Sequence, residues 1–176
     1  SYWRSYLCEA KRMSYDKYSY FIFLFIFTSF YSLIFLAPIL AFLAERCPIA
    51  GFFSDIIYDS LHRICHQRAD RSFSLFGHKL GVCARCFGIH TGIFLATLLY
   101  PFIRNLEARE TPSKHLLIAS MIPMAIDGGT QLIGLRESFN ELRFATGFLF
   151  GFTLGFYLVP VFNELLSILL KKFKKI

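Results

Sequence analysis

The feature that most constrains this chain is a long stretch without a charged side chain near its N-terminus. It runs from Tyr18 to Ala44, and about 20 apolar residues are enough for a helix to cross the hydrocarbon core of a bilayer. The stretch is too long for the apolar part of a signal peptide, which has about 7–15 residues, and no small-residue cleavage site follows it. We therefore predict a retained transmembrane helix.

Three further apolar blocks follow along the chain, and each allows the same interpretation. They cover residues 86–103, 116–135 and 144–170. The acidic residues inside them are Asp127 and, near the end of the last block, Glu164. The sequence therefore predicts an all-α fold, a polytopic bundle of about four transmembrane helices. We expect residues 18–176 to form one domain of a cell-membrane protein.

Basic residues outside these blocks predict the orientation of the bundle. The formal net charge is +7, which in a membrane protein reflects basic residues at the membrane faces and requires no nucleic acid partner. With four spans, more lysines and arginines fall in the N-terminal arm, the second loop and the tail than in the other two loops. The positive-inside rule then places both termini in the cytoplasm and the first loop outside. Residues 1–17, rich in Tyr, are expected to form an arm at the cytoplasmic membrane surface.

The first loop, residues 45–85, combines a predicted surface helix with five potential metal ligands. Apolar residues recur at helical spacing from Phe52 to Ile64, which predicts a helix that lies on the membrane or dips into it. Tetrahedral zinc commonly takes two ligands from a Cys-x-x-Cys pair and two from elsewhere. The predicted zinc ligands are Cys65, His66, Cys83 and Cys86. His62 is a fifth contact, a group that supports the ligands, or an acid/base residue beside an open coordination position.

A redox interpretation of the same cysteines competes with the metal site. Outside the cytoplasm disulfides persist, and Arg85 between Cys83 and Cys86 would lower the pKa of both thiols. This pattern would suit a thiol–quinone oxidoreductase, with the aromatic-rich bundle holding the quinone. A purely structural disulfide is the third possibility.

A second group of polar residues lies in and after the third apolar block. A carboxylate at membrane depth needs a partner, so Asp127 is a candidate acid/base residue. With four spans, the loop that follows emerges on the same face as the Cys/His loop, and arginine suits phosphate or carboxylate. The predicted substrate-binding residues are Arg68, Arg71, Gln131, Arg136, Asn140 and Arg143. The alternative is an internal salt-bridge network in which Asp127, Glu137 and Glu141 neutralise the arginines.

Small residues four apart mark two of the predicted spans. Gly88 and Gly92 lie in the second span, and Gly147, Gly151 and Gly155 lie in the fourth. This spacing favours close packing of transmembrane helices.

Taken together, these motifs resemble the signature of a family of small prokaryotic membrane proteins, the domain-of-unknown-function family 2085. The matching motifs are His62-x-x-Cys65-His66-Gln67, Arg71-Ser72-Phe73, Cys83-Ala84-Arg85-Cys86-Phe87-Gly88-Ile89-x-x-Gly92, Asp127-Gly128-x-Thr130-Gln131, Arg136-x-Ser138-x-Asn140-x-x-Arg143 and Thr146-Gly147. They cover about residues 60–155. The resemblance implies an archaeal or bacterial membrane protein in which the two polar groups form one site, and it implies no particular activity.

The leading hypothesis is a zinc-dependent membrane enzyme acting on an anionic or phosphorylated lipid, such as an isoprenoid phosphate, in the bilayer. The first alternative is the thiol–quinone oxidoreductase. The second is a non-enzymatic carrier or accessory subunit in which the metal holds the first loop in place.

Overall fold

The computed structural model describes the backbone of residues 2–106 and 111–173, and the side chains of residues 17–106, 111–170 and 172. The described chain is mainly helical, with one 3-10 turn and one short hairpin. Its elements are α1 (Tyr2–Leu43), α2 (Pro48–His62), the 3-10 turn (Ala69–Arg71), β1 (Ser74–Leu75), β2 (His78–Lys79), α3 (Ala84–Ile103), α4 (Lys114–Leu132) and α5 (Asn140–Phe173). The predicted all-α fold is confirmed. The backbone of the predicted arm, residues 1–17, is described from Tyr2 as part of α1, and its place at the membrane surface stays a prediction.

Within the part of the chain that the structure describes, three helices are long and apolar enough to cross a membrane. They are Lys17–Leu43, Ala84–Ile103 and Asn140–Leu170. They coincide with the first, second and fourth predicted spans. The third predicted span is also a helix, α4, but it is not among these three, because polar residues from Asp127 to Gln131 lower the hydropathy of its C-terminal end.

Helices α3 and α5 pack against each other in parallel along their glycines. A Cβ atom at Gly88 would collide with the backbone of Phe144. One turn further along both helices, a Cβ atom at Gly92 would lie 2.5 Å from the carbonyl oxygen of Phe148. Because the contacts advance in the same direction along both helices, the two run parallel. The close packing predicted from the glycine spacing is confirmed.

The other two long helices run in the opposite direction. The Tyr157 hydroxyl of α5 donates to the carbonyl of Ser113 at the start of α4, with an oxygen–oxygen distance of 2.7 Å. At the other end of α4, Asp127 contacts Arg85 in the first turn of α3. Two parallel spans can follow each other only if the chain returns between them, and α4 is the helix that makes this return. In the same way α1 is antiparallel to α3, since Tyr20 bonds Thr97 and Tyr31 bonds Thr91.

The first loop folds onto the C-terminal end of α1. The Ser54 hydroxyl of α2 donates to the carbonyl of Ala37, at 2.9 Å. Beyond α2, the side-chain amide of Gln67 donates to the carbonyls of Tyr58 and Gly81, both at 2.8 Å. This amide therefore holds the segment after α2 against the segment before α3. Those two segments carry the cysteines.

Candidate functional site

Three cysteines from the two ends of the first loop meet in a buried cluster. Cys65 follows the last turn of α2, where its N–H donates to the carbonyl of Leu61 at 3.1 Å. Cys83 is the N-cap residue of α3, and Cys86 lies in the first turn of that helix. The three sulfur atoms lie within 4.8 Å of one another. Cys65 and Cys83 are buried and Cys86 is half-buried, so the loop fold brings together three of the four predicted metal ligands.

Hydrogen bonds among the three thiols favour a thiolate at Cys65. The thiols of Cys83 and then Cys86 donate to its sulfur and hold the pKa of Cys65 far below its ordinary value, although burial opposes this. The N–H of Cys83 also donates to that sulfur, at 3.1 Å. Conversely, its role as a donor to Cys65 raises the pKa of Cys83. A metal ion bound here would displace the remaining thiol protons.

The two histidines predicted at this site are both exposed. His66 is exposed, and its Nδ1 accepts a hydrogen bond from the backbone N–H of Arg68 at 3.2 Å. It lies outside the group of three sulfurs, because its side chain follows the exposed turn after Cys65. His62 is also exposed, in the last turn of α2, and lines an open groove of about 430 Å³ together with Asp55, Tyr58 and Asp59.

His90 is a further histidine near the cluster, and it was not among the predicted ligands. It follows Cys86 by four residues in α3, so the two share a helix face. Its ring packs against Phe30, with 5.1 Å between the ring centres, and Phe30 itself packs on the cluster that contains Cys65. The Nδ1 atom of His90 is buried and has no hydrogen-bond partner among the described residues. The four-residue spacing from Cys86 was the signal that could have identified it.

Asp127 lies at the centre of a salt-bridge network. Its side chain is 2% exposed. One carboxylate oxygen accepts from the guanidinium of Arg85, and the other accepts from that of Arg136 at 2.9 Å. Arg136 also donates to the Thr130 hydroxyl at 3.1 Å. Both oxygens of the predicted acid/base residue are therefore engaged by arginines, as the salt-bridge alternative expects.

Arg85 joins the two polar groups, although it was not among the predicted substrate-binding residues. It stands between Cys83 and Cys86 in the chain, and its side chain reaches from α3 to Asp127 on α4. Its guanidinium lies over Gly128, where an added Cβ would come within 3.1 Å of Nη1. Its place between the two cysteines was the available signal.

The predicted substrate-binding residues divide into buried and exposed ones. Arg143, in the first turn of α5, is 6% exposed and donates to the Asn140 side-chain oxygen at 2.8 Å. Asn140 in turn donates to the carbonyl of Ser72 at 3.4 Å, beside the half-buried Arg71. Arg68 is exposed and forms an ion pair with Asp70 at 3.1 Å. Gln131 is half-buried in the last turn of α4.

Comparison with known proteins identifies the family. A family described as "Predicted membrane protein (DUF2085)" matches residues 65–157. An uncharacterised protein of Methanocaldococcus jannaschii is 53% identical over 158 residues, which cover 90% of this chain and 99% of that protein. This chain belongs to the DUF2085 family. A second archaeal protein similar to this DUF2085 chain, an uncharacterised protein of Methanothermobacter thermautotrophicus, is 47% identical over 85 residues, 48% of this chain and 74% of that protein. No solved structure matches the chain.

Proposed function

We propose that this DUF2085 protein is a membrane metalloprotein in which Cys65, Cys83 and Cys86 bind a zinc ion. The observation that carries the proposal is the approach of three thiol sulfurs to within 4.8 Å of one another. The two segments that supply them are far apart in the sequence. Thiolates are preferred ligands of zinc, which binds them in tetrahedral geometry.

Three thiolates leave one tetrahedral position, and its occupant decides the role of the ion. His66 could reach it by turning its exposed side chain, and His90 could reach it from inside the bundle. A fourth protein ligand would make the zinc structural. A water molecule in that position would be activated by the metal for attack on a substrate.

We further propose that the protein is an enzyme and that its substrate is an anionic, lipid-like molecule. Arginines from the first loop, α3 and the start of α5 lie on the same side of the bundle as the cysteines. A substrate held by its charged group there would have its apolar part in the bilayer. In the proposed orientation both termini are cytoplasmic and the cysteine cluster faces outward.

The metal is tested by elemental analysis of detergent-purified protein. We expect about one zinc per chain, and its loss in a variant with Cys83→Ser and Cys86→Ser. Cys47→Ser is the matched control, because Cys47 is exposed and outside the cluster. A wild-type protein that contains no zinc, or a double variant that keeps it, would exclude the metal site.

Thiol redox chemistry is the second candidate, and the lowered pKa of Cys65 favours it, because an attacking thiol reacts as the thiolate. It requires a disulfide between two of the three cysteines in part of the catalytic cycle, with a quinone as electron acceptor. Alkylation of the free thiols before and after addition of a quinone, followed by mass spectrometry, distinguishes the redox function from the metal site. Cysteines that remain thiols throughout would rule out the redox function. A zinc-containing protein that shows no turnover would instead favour the carrier or accessory subunit.

A further inference from the structure

Arg143 carries a buried positive charge that no carboxylate among the described residues neutralises directly. Only 6% of this residue is exposed. Its Nη1 donates to the neutral Asn140 side chain, and its Nε atom is buried without a hydrogen-bond partner among the described residues. Buried charges are normally paired, because leaving water is costly for an ion. The Nε atom of Arg85 is buried and unpartnered in the same way.

The backbone around these two arginines adds further positive potential. Arg85 lies in the first turn of α3 and Arg143 lies in the first turn of α5. The N-terminal end of a helix carries a partial positive charge and exposed N–H groups, so it attracts anions and disfavours cations. Because α3 and α5 are parallel, both positive ends lie on the same side of the bundle.

The charges nearby leave a positive excess. Arg71 and Arg85 repel Arg143, while Asp127 and Asp70 attract it. Asp127 is shared between Arg85 and Arg136, and Asp70 is shared between Arg68 and Arg71. The two carboxylates therefore form ion pairs with four arginines, and neither of them pairs directly with Arg143.

We propose that Arg71, Arg85 and Arg143 form a binding site for a phosphate monoester group. Such a group brings a charge of about −1.5 to −2 at pH 7 and three acceptor oxygens, which matches the excess charge and the planar donors of arginine. This proposal deepens the proposed function by naming the anionic part of its substrate. It moves the site away from Arg68 and Arg136, whose side chains are more than a third exposed.

The structure also indicates how the site is held in place. Asn140 connects Arg143 to the carbonyl of Ser72, next to Arg71. Gly147, one turn after Arg143, lies so close to the backbone of Arg85 that a Cβ atom there would collide with it. The three arginines therefore come from three segments that already contact one another before any ligand binds. The position of Arg143 at the end of a candidate span places the phosphate at the membrane surface.

The test is isothermal titration calorimetry of the full-length protein in detergent with three probes. They are farnesyl monophosphate, inorganic phosphate and farnesol. We expect farnesyl monophosphate to bind and farnesol to bind far more weakly. Arg143→Gln and, separately, Arg71→Gln should weaken phosphate binding about 10- to 100-fold, as loss of a charge-assisted hydrogen bond predicts. Arg46→Gln is the matched control, because Arg46 is exposed and lies outside the site, and it should bind as the wild type does.

Each outcome has a defined meaning. Binding of farnesyl monophosphate much more tightly than inorganic phosphate supports the site with a lipid as its source, and equal binding supports it with free phosphate. Equal binding of farnesol and farnesyl monophosphate would overturn it, and so would an Arg71→Gln variant with unchanged affinity. Arg71 is half-buried, so Arg71→Gln should disturb the fold less than replacement of the buried Arg143. The Arg71 variant therefore still tests the site if Arg143→Gln misfolds.

Zinc content, measured on the same samples, separates this proposal from the metal site. A protein that binds phosphate but contains no zinc would support the phosphate site and refute the metal site. Zinc without phosphate binding would refute the phosphate site only. A loss of zinc in Arg143→Gln with unchanged phosphate affinity would mean that the arginine balances the thiolates, and would refute the phosphate site.

Discussion

Replacing Asp127 by asparagine distinguishes a structural carboxylate from an acid/base residue. Removing one partner of a fully buried ion pair costs about 3–5 kcal/mol, because a buried charge is left unpaired. Here the side chains of Arg85 and Arg136 are 26% and 39% exposed, so water screens part of the charge that is left behind. We therefore expect Asp127→Asn to lower the free energy of unfolding by about 2–3 kcal/mol.

The free energy can be measured by titrating the protein from mild detergent into sodium dodecyl sulfate and following helicity by circular dichroism. Asp70→Asn is the matched control. Asp70 pairs with Arg68 at an exposed site, where an ion pair contributes about 0–1 kcal/mol. If the free energy of unfolding of Asp127→Asn lies within about 0.5 kcal/mol of the wild-type value, the salt-bridge network does not stabilise the fold. A variant that keeps wild-type stability but loses turnover would restore the acid/base role.

Two other perturbations test the helix packing and the fourth metal ligand. Gly151→Ala should destabilise the bundle strongly, because its Cβ atom would collide with the backbone of Ile89. Gly129→Ala is the control: no atom lies within 4 Å of its Cβ position, so its effect on the free energy of unfolding should be below about 1 kcal/mol in the same titration. Equal effects of the two substitutions would contradict the tight packing of α3 on α5. His90→Ala should remove imidazole scattering from the zinc X-ray absorption spectrum if the fourth ligand comes from the bundle. Loss of that signal in His66→Ala instead would assign the exposed histidine.

The sequence was sufficient to predict the helices and the cysteine cluster. Three predicted spans coincide with three helices, because the length of an apolar run is enough to recognise a helix that can cross a bilayer of known thickness. The pairing of Cys83 with Cys86 is equally local, since two residues separate them in the first turn of one helix. The predicted contribution of Cys65 rested on its thiol chemistry, and the structure brings it into the group.

The arrangement of the polar side chains was less predictable. Which arginine meets Asp127 depends on how far α3 and α4 rotate about their axes, and Arg85 has that position in the structure. His66 was predicted as one of the two ligands from outside the Cys-x-x-Cys pair, but the chain turns at Gln67, whose φ is +48°, and His66 is exposed. Such turns are set by long-range bonds, here from the Gln67 side chain to Tyr58 and Gly81.

The limited hydropathy of α4 has a consequence for how the protein enters the membrane. An aspartate at the centre of a span raises the insertion free energy by about 2.5–3.5 kcal/mol. Asp127 lies in the C-terminal third of α4, where this cost is smaller, but further polar residues follow it. Helix α4 is therefore a poor substrate for the insertion machinery when it emerges alone. With α3 already in place, Arg85 is available to neutralise Asp127, so the two helices can be inserted as a hairpin. If α4 crosses the membrane, the salt bridge would thus couple its insertion to that of the helix made before it.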